Sequence, residues 1–76
     1  MTAAATLDAQ GLKCPLPVLR ARKAMRDVPP GGLLRVLATD PAAPRDLRAF
    51  CDETGHTLVE TAEAGGAYTI TIRKKS

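Results

Sequence analysis

Aromatic side chains are almost absent from this chain of 76 residues, which has one phenylalanine, one tyrosine and no tryptophan. A surface that stacks successive nucleic-acid bases needs several aromatic rings, so the composition excludes such a surface. Long apolar runs are also missing, and none approaches the roughly 20 residues that a membrane-spanning helix requires. We therefore expect a chain that does not cross a membrane and that has a core of aliphatic side chains.

Cysteine and histidine are scarce as well, since the chain has only Cys14, Cys51 and His56. Two cysteines cannot form the disulfide framework of a small secreted domain, and they make no C-x-x-C pair for a dithiol cycle. The three residues are too few for an ordinary metal site, and a cysteine hydrolase would need a better placed histidine. The N-terminus resembles no secretory signal. We expect a cytoplasmic protein without a metal or cofactor.

The formal net charge is +3, and the basic residues are unevenly distributed. Residues 13–26 include no acidic side chain. The basic residues form two groups: Lys13, Arg20, Arg22, Lys23 and Arg26, and then Arg73, Lys74 and Lys75. Such groups are consistent with solvated surfaces, or with an electropositive face that attracts an acidic partner.

Hydrophobic periodicity and turn residues predict one domain over residues 1–76 with the order β-α-β-α-β-β. The predicted strands cover residues 6–9, 33–39, 56–62 and 67–73. One helix is expected over 15–27, and a second between the turn at 40–44 and Gly55. This order predicts the α+β class: a two-layer α/β sandwich with a mixed four-stranded sheet and two helices on one face.

The stretch GLKCPLPVLRARKAM at residues 11–25 places a cysteine directly before a proline-rich helix start. Prolines are tolerated in the first turn of a helix, where Pro15 and Pro17 fall. With Pro15 as the first helical residue, Cys14 is the N-cap, and its thiol lies at the positive end of the helix dipole beside Lys13. Both influences lower a cysteine pKa from its ordinary value of about 8.5. We predict an exposed and nucleophilic thiol.

The alternative interpretation is that Cys14 is a small, partly buried and inert residue. A hydroxyl or carboxylate side chain caps a helix better than a thiol, and a thiol is liable to oxidation. A cysteine at this position therefore favours a reactive role for Cys14 over an inert one. Cys51 shares a helical face with Leu47 and Phe50, which predicts a buried core thiol. His56 is expected to satisfy backbone groups at a turn and to have no catalytic role.

Three stretches, LDAQGLKCPLPVLRARKAM, GGLLRVLATDPAAPRDLRAFCDETGHTLVE and GGAYTITIRKK, resemble the TusA family of small sulfur carriers, also known as SirA-like proteins. The resemblance spans residues 7–75. Its most specific element is C-P-x-P at 14–17 after D-x-x-G, supported by A-T-D-P at 38–41 and G-H at 55–56. It implies a sandwich like the C-terminal domain of translation initiation factor 3.

The resemblance also implies that Cys14 accepts persulfide sulfur from a cysteine desulfurase and passes it to an acceptor protein. Destinations in the family include tRNA thiolation, molybdenum cofactor assembly and sulfur oxidation. We expect a sulfurtransferase-type relay rather than an independent turnover enzyme, and, since nothing in the sequence suggests a stable dimer, a monomer. Leu16 occupies a position where family members often have an acidic residue.

Other residues are expected to support this role. Lys13, Pro15 and Pro17 flank the thiol. Asp40 has two interpretations. The favoured one is structural, as a helix N-cap or Asx-turn residue before Pro41. The other, implied by its place in the family motif, is a position near Cys14 where it would shape partner docking. A basic helical face is expected to attract acidic partners. Its residues are Arg20, Lys23 and Arg26.

Two functions of other classes remain open. Basic charge on a small sandwich is compatible with an RNA-binding module, although we do not expect direct binding of nucleic acid. A thiol switch would instead join Cys14 to Cys51 or to another chain by a disulfide.

Overall fold

Six elements follow one another in the predicted order in a computed structural model that describes residues 5–75. They are β1 (Ala5–Ala9), α1 (Leu16–Met25), β2 (Leu33–Ala38), α2 (Ala43–Thr54), β3 (Thr57–Ala64) and β4 (Ala67–Arg73). The element order predicted from the sequence is confirmed, with ends that differ by one or two residues.

The four strands form one mixed sheet in the order β1-β2-β4-β3. β1 runs parallel to β2, and β4 is antiparallel to both β2 and β3. The final hairpin turns through Gly65 and Gly66, which both have positive φ angles. The α+β fold class predicted from the sequence, with a mixed four-stranded sheet, is confirmed.

Both helices pack on the sheet through one aliphatic core. Alternate residues of each central strand point toward the helices, since side chains of a strand alternate between its two faces. The large side chains that are fully buried include Leu34, Val36, Leu47, Ile70 and Ile72. α1 contributes a narrow stripe of buried residues at helical spacing, Pro17, Ala21 and Met25.

The end of α2 is fixed by Gly55. Its φ angle of 84° lies in the left-handed region, where a side chain is disfavoured, and its N–H donates to the carbonyl of Cys51 at 2.8 Å. The predicted helix stop at this glycine is confirmed.

The parallel pairing of β1 and β2 brings two loops together at one edge of the sheet. Ala9, at the end of β1, is in register with Ala38, at the end of β2. The loop after each strand therefore begins at the same place, and the Gly11 N–H donates to Thr39 Oγ1 at 2.9 Å. In the part of the chain from 5 to 75, no helix is long and apolar enough to cross a membrane.

Candidate functional site

Cys14 is exposed in the turn between β1 and α1, as predicted. It is not the N-cap, however, because the helix begins at Leu16 and Pro15 occupies the cap position. Pro15 has φ and ψ angles of −98° and 17°, outside the helical region, and the Cys14–Pro15 peptide bond is cis. The turn is closed by the Leu16 N–H, which donates to the carbonyl of Lys13 at 2.8 Å. The predicted start of α1, and with it the predicted N-cap, was therefore wrong by one residue.

The carboxylate of Asp40 holds the backbone at Cys14. Asp40 Oδ2 accepts the Cys14 N–H at 2.7 Å, and Oδ1 accepts the Ala42 N–H at 3.0 Å. These bonds, first that from Ala42 and then that from Cys14, lower the pKa of Asp40, and the charges of Lys13 and Arg45 add to them. Asp40 is therefore ionised at neutral pH. It forms a turn before α2 and also lies next to Cys14, as both interpretations of this residue expected, and its part in partner docking stays a prediction.

The electrostatic surroundings of the thiol differ from the sequence prediction. The pKa of Cys14 is raised, chiefly because the thiol hydrogen-bonds to the Asp46 carboxylate, then through desolvation and the negative charges of Asp46 and Asp40. The charge that lowers it is that of Arg45, whereas Lys13 acts on the Asp40 carboxyl group. The prediction of a lowered pKa was wrong, because the first turn of α2 and the loop before it place the carboxylates of Asp46 and Asp40 next to the thiol.

Asp46 is a site residue that the sequence interpretation missed. It lies in the first turn of α2, and one of its oxygens is 3.5 Å from Arg45 Nε. The proximity of Asp46 to Cys14 could have been predicted from the strand direction. If β1 and β2 are parallel, the loop that bears Cys14 lies next to the start of α2. The sequence interpretation left the direction of these strands open, so this link was not made.

Three exposed apolar side chains follow Cys14 at the start of α1. Leu16 and Leu19, one helical turn apart, are 44% and 52% exposed, and Pro15 is exposed beside them. Pro17, in contrast, is buried and fixes the first turn of α1 to the core. We call the exposed surface of Pro15, Leu16 and Leu19 the apolar rim. An exposed apolar patch of this kind is typical of a contact surface for another protein.

A shallow groove of about 360 Å³ lies on the other side of the Cys14 loop. It is lined by Gly11, Leu12, Lys13, Thr39, Asp40 and Pro41. The thiol thus lies on an open surface that a second protein can reach directly.

The basic residues predicted to bind partners lie on two sides of α1. Arg20 and Lys23 line a groove together with Leu7 and Asp27, next to β1. Arg26 lies on the α2 side of the same helix, where it lines a different groove with Arg22. The structure therefore separates the predicted trio into a pair and a single residue.

The remaining candidates have structural positions. Cys51 is 3% exposed in the core, as predicted, and burial raises the pKa of its thiol. An internal disulfide with the exposed Cys14 would require Cys51 to leave the core. His56 Nδ1 accepts the Lys75 N–H at 3.1 Å, so this imidazole satisfies a backbone group as predicted. That group belongs to the segment after β4 rather than to the turn itself.

Comparison with known proteins gives one consistent result. Residues 5–74 match the family model described as sulfurtransferase TusA. The sulfur carrier protein TusA of Pseudomonas aeruginosa is 53% identical over 72 residues, which cover 95% of this chain and 91% of the relative. That of Pseudomonas fluorescens is 52% identical over 71 residues, covering 93% and 86%.

Among solved structures, the SirA-like protein of Desulfitobacterium hafniense superposes with a TM-score of 0.82. It is 28% identical in sequence, and the match covers 95% of this chain and 99% of that one.

Proposed function

The chain belongs to the TusA family, and on that premise we propose that Cys14 carries sulfur as a persulfide from a donor protein to an acceptor protein. The observation that supports this most directly is the exposed thiol of the C-P-x-P motif, with its backbone held by Asp40 at 2.7 Å. A sulfur carrier of this family implies contacts with sulfur donors and acceptors.

The chemistry is two successive exchanges at sulfur. The Cys14 thiolate attacks the outer sulfur of the donor's persulfide, so that a new S–S bond forms to Cys14 while the donor's S–S bond breaks and its thiolate leaves. An acceptor thiolate then attacks the outer sulfur of the Cys14 persulfide, and the Cys14 thiolate leaves. No net oxidant or reductant is needed, because the outer sulfur keeps its oxidation level throughout.

This chain's own residues prepare the thiol for both steps. Asp40 fixes the amide of Cys14, and the buried Pro17 anchors the helix that follows. Asp46 lies beside the thiol and raises its pKa, and the neighbouring Arg45 opposes this effect. The apolar rim supplies a surface that a partner covers. The chain acts as a relay, and the partner supplies the rest of the reacting surface.

The donor in this proposal is a cysteine desulfurase, and the acceptor is a protein thiol in a sulfur pathway. tRNA thiolation, molybdenum cofactor assembly and sulfur oxidation are the destinations that the family resemblance implies. Persulfide transfer between free thiols suits the reducing cytoplasm.

The experiment is intact-mass measurement after incubation with a cysteine desulfurase and cysteine. We expect the wild-type chain to gain one sulfur atom that a reductant removes. Cys14→Ser should gain none, and Cys51→Ala should be loaded like the wild type, because Cys51 is buried. Loading of Cys14→Ser would contradict the assignment of the carrier thiol. Failure of the wild-type chain with several different desulfurases would contradict the carrier function.

A triple variant with glutamine at Arg20, Lys23 and Arg26 tests whether the basic face attracts the donor. We expect an acidic donor to load this variant about tenfold more slowly at low ionic strength, because charge complementarity mainly accelerates the encounter of two proteins. The effect should be smaller at high salt, which screens the charges. The rate of sulfur gain measured across a salt series tests this.

The matched control is the triple variant Arg35→Gln, Arg48→Gln and Lys75→Gln, which removes the same charge away from α1. An equal slowing of this control would show that net charge, and not the basic face of α1, governs the encounter.

A further inference from the structure

A second groove, of about 320 Å³, lies on the α2 side of α1. We call it the basic groove. Its lining includes Arg22, Met25, Arg26, Phe50, His56 and Lys74. Its residues on α1 lie between Arg22 and Arg26, about 9–15 Å along the helix axis from Leu16, and it shares no lining residue with the groove beside the Cys14 loop. It is therefore separate from the surroundings of the thiol.

The basic groove combines three permanent cations with an imidazole, and no carboxylate of the described residues 5–75 lines it. Arg22 forms an ion pair with Glu53, whose Oε1 is 3.9 Å from Arg22 Nη2, but both side chains are exposed, so this pair balances little of the charge. The floor consists of Met25 and Phe50, which are both 3% exposed. A concave, positively charged surface of this size suits a small anion.

Several of these groups are held in place before any ligand binds. The Arg22 guanidinium lies 5.1 Å from the centre of the Phe50 ring, and Lys74 Nζ donates to the carbonyl of Val28 at 2.8 Å. His56 Nδ1 accepts the Lys75 N–H, so the neutral ring carries its proton on Nε2 and has that donor left. Such preorganisation reduces the entropy lost when an anion binds.

Arg26 is the arginine of the basic groove that lies at the end of α1. Within the described residues 5–75, none of the ion pairs involves it, and it is exposed at the end of α1. Basic residues at a helix C-terminus also stabilise the helix dipole, which accounts for part of this arrangement. The dipole alone does not account for cations from two segments, α1 and the segment after β4, that converge with an imidazole on one concavity.

We propose that the basic groove binds a phosphate group, either as free inorganic phosphate or as a phosphate monoester. Arg22 and Arg26 provide planar donor forks that match phosphate oxygens, Lys74 provides a point charge, and His56 provides a further N–H. This site is distinct from the thiol of Cys14 and shares only Arg26 with the residues proposed to attract a sulfur donor.

The test is NMR titration of the isotope-labelled full chain at constant ionic strength with inorganic phosphate, adenosine monophosphate and adenosine. We expect saturable shifts confined to the groove with at least one phosphate-bearing probe and none with adenosine. Arg26→Gln should weaken binding about tenfold, the loss expected for one charge-assisted contact. The control Arg48→Gln removes the same charge from α2 outside the groove and should bind like the wild type.

His56 provides an independent readout. Burial and the nearby Lys75 and Lys74 lower its pKa in the free protein, and Arg22 and Arg26 lie in the same groove. A bound anion favours the protonated ring, so phosphate should raise the pKa of His56, measured from its ring-proton shifts.

Tighter binding of the monophosphate than of inorganic phosphate would identify an ester as the ligand, and equal binding would identify the free anion. Either result supports the site. The proposal is overturned if neither probe saturates, if adenosine binds as well as its monophosphate, or if Arg26→Gln and Arg48→Gln bind equally.

Discussion

Replacing Asp46 with asparagine is expected to lower the pKa of the Cys14 thiol and to speed its alkylation at neutral pH. The Asp46 carboxylate is the largest cause of the raised pKa, through its hydrogen bond with the thiol and through its charge. Asparagine removes the charge, and its amide can donate a hydrogen bond to the thiolate. Both changes favour the thiolate.

Two opposing effects decide the rate. For each unit by which the pKa falls, the thiolate fraction below the pKa rises about tenfold, whereas the nucleophilicity of the thiolate falls only about threefold. The alkylation rate at neutral pH therefore increases, and its plateau at high pH decreases. The measurement is the rate of reaction of Cys14 with iodoacetamide as a function of pH, in a Cys51→Ala background.

Asp52→Asn is the matched control, because it removes the same charge from an exposed position on the same helix, beside Cys51. It should leave the midpoint of the Cys14 profile unchanged. An unchanged midpoint in Asp46→Asn, or an equal shift in both variants, would show that Asp46 does not govern the thiol.

Leu47→Ala is expected to lower the free energy of unfolding by about 2–5 kcal/mol, the usual range for a buried leucine. Leu47 is 0% exposed and belongs to the single core that joins α2 to the sheet. For a domain of this size, such a loss is a large part of the total stability. Urea denaturation followed by circular dichroism measures it.

Leu19→Ala makes the same chemical change at a side chain that is 52% exposed. It should alter stability by about 0.5 kcal/mol or less. If the two variants unfolded at similar urea concentrations, the core described for α2 would be wrong.

Much of the fold could be predicted because local signals agreed with the global arrangement. The turn glycines and the alternation of TITIR fixed the final hairpin, and the helical spacing of Leu47, Phe50 and Cys51 identified the buried face of α2. The order of the strands in the sheet was not accessible in the same way. It depends on contacts between distant segments, which periodicity does not report.

The site was only partly predictable for the same reason. Cys14 and its exposure could be inferred from neighbouring residues, since the prolines beside it restrict the local backbone. Its pKa depends on Asp46, which is distant in sequence and reaches the thiol only because β1 and β2 are parallel. Reasoning from the nearest charge, Lys13, therefore gave the wrong direction.

The open position of Cys14 has a consequence for how long the protein retains its cargo. Because Cys14 is exposed, small thiols in the surrounding solution can reach a persulfide on this residue. Retention must then come from the leaving group, and a thiol of raised pKa departs more slowly than an ordinary one. In the proposed relay, the Asp46 carboxylate would therefore slow both the loading of Cys14 and the leakage of its sulfur between two encounters, and a partner that neutralises Asp46 on docking would release the sulfur.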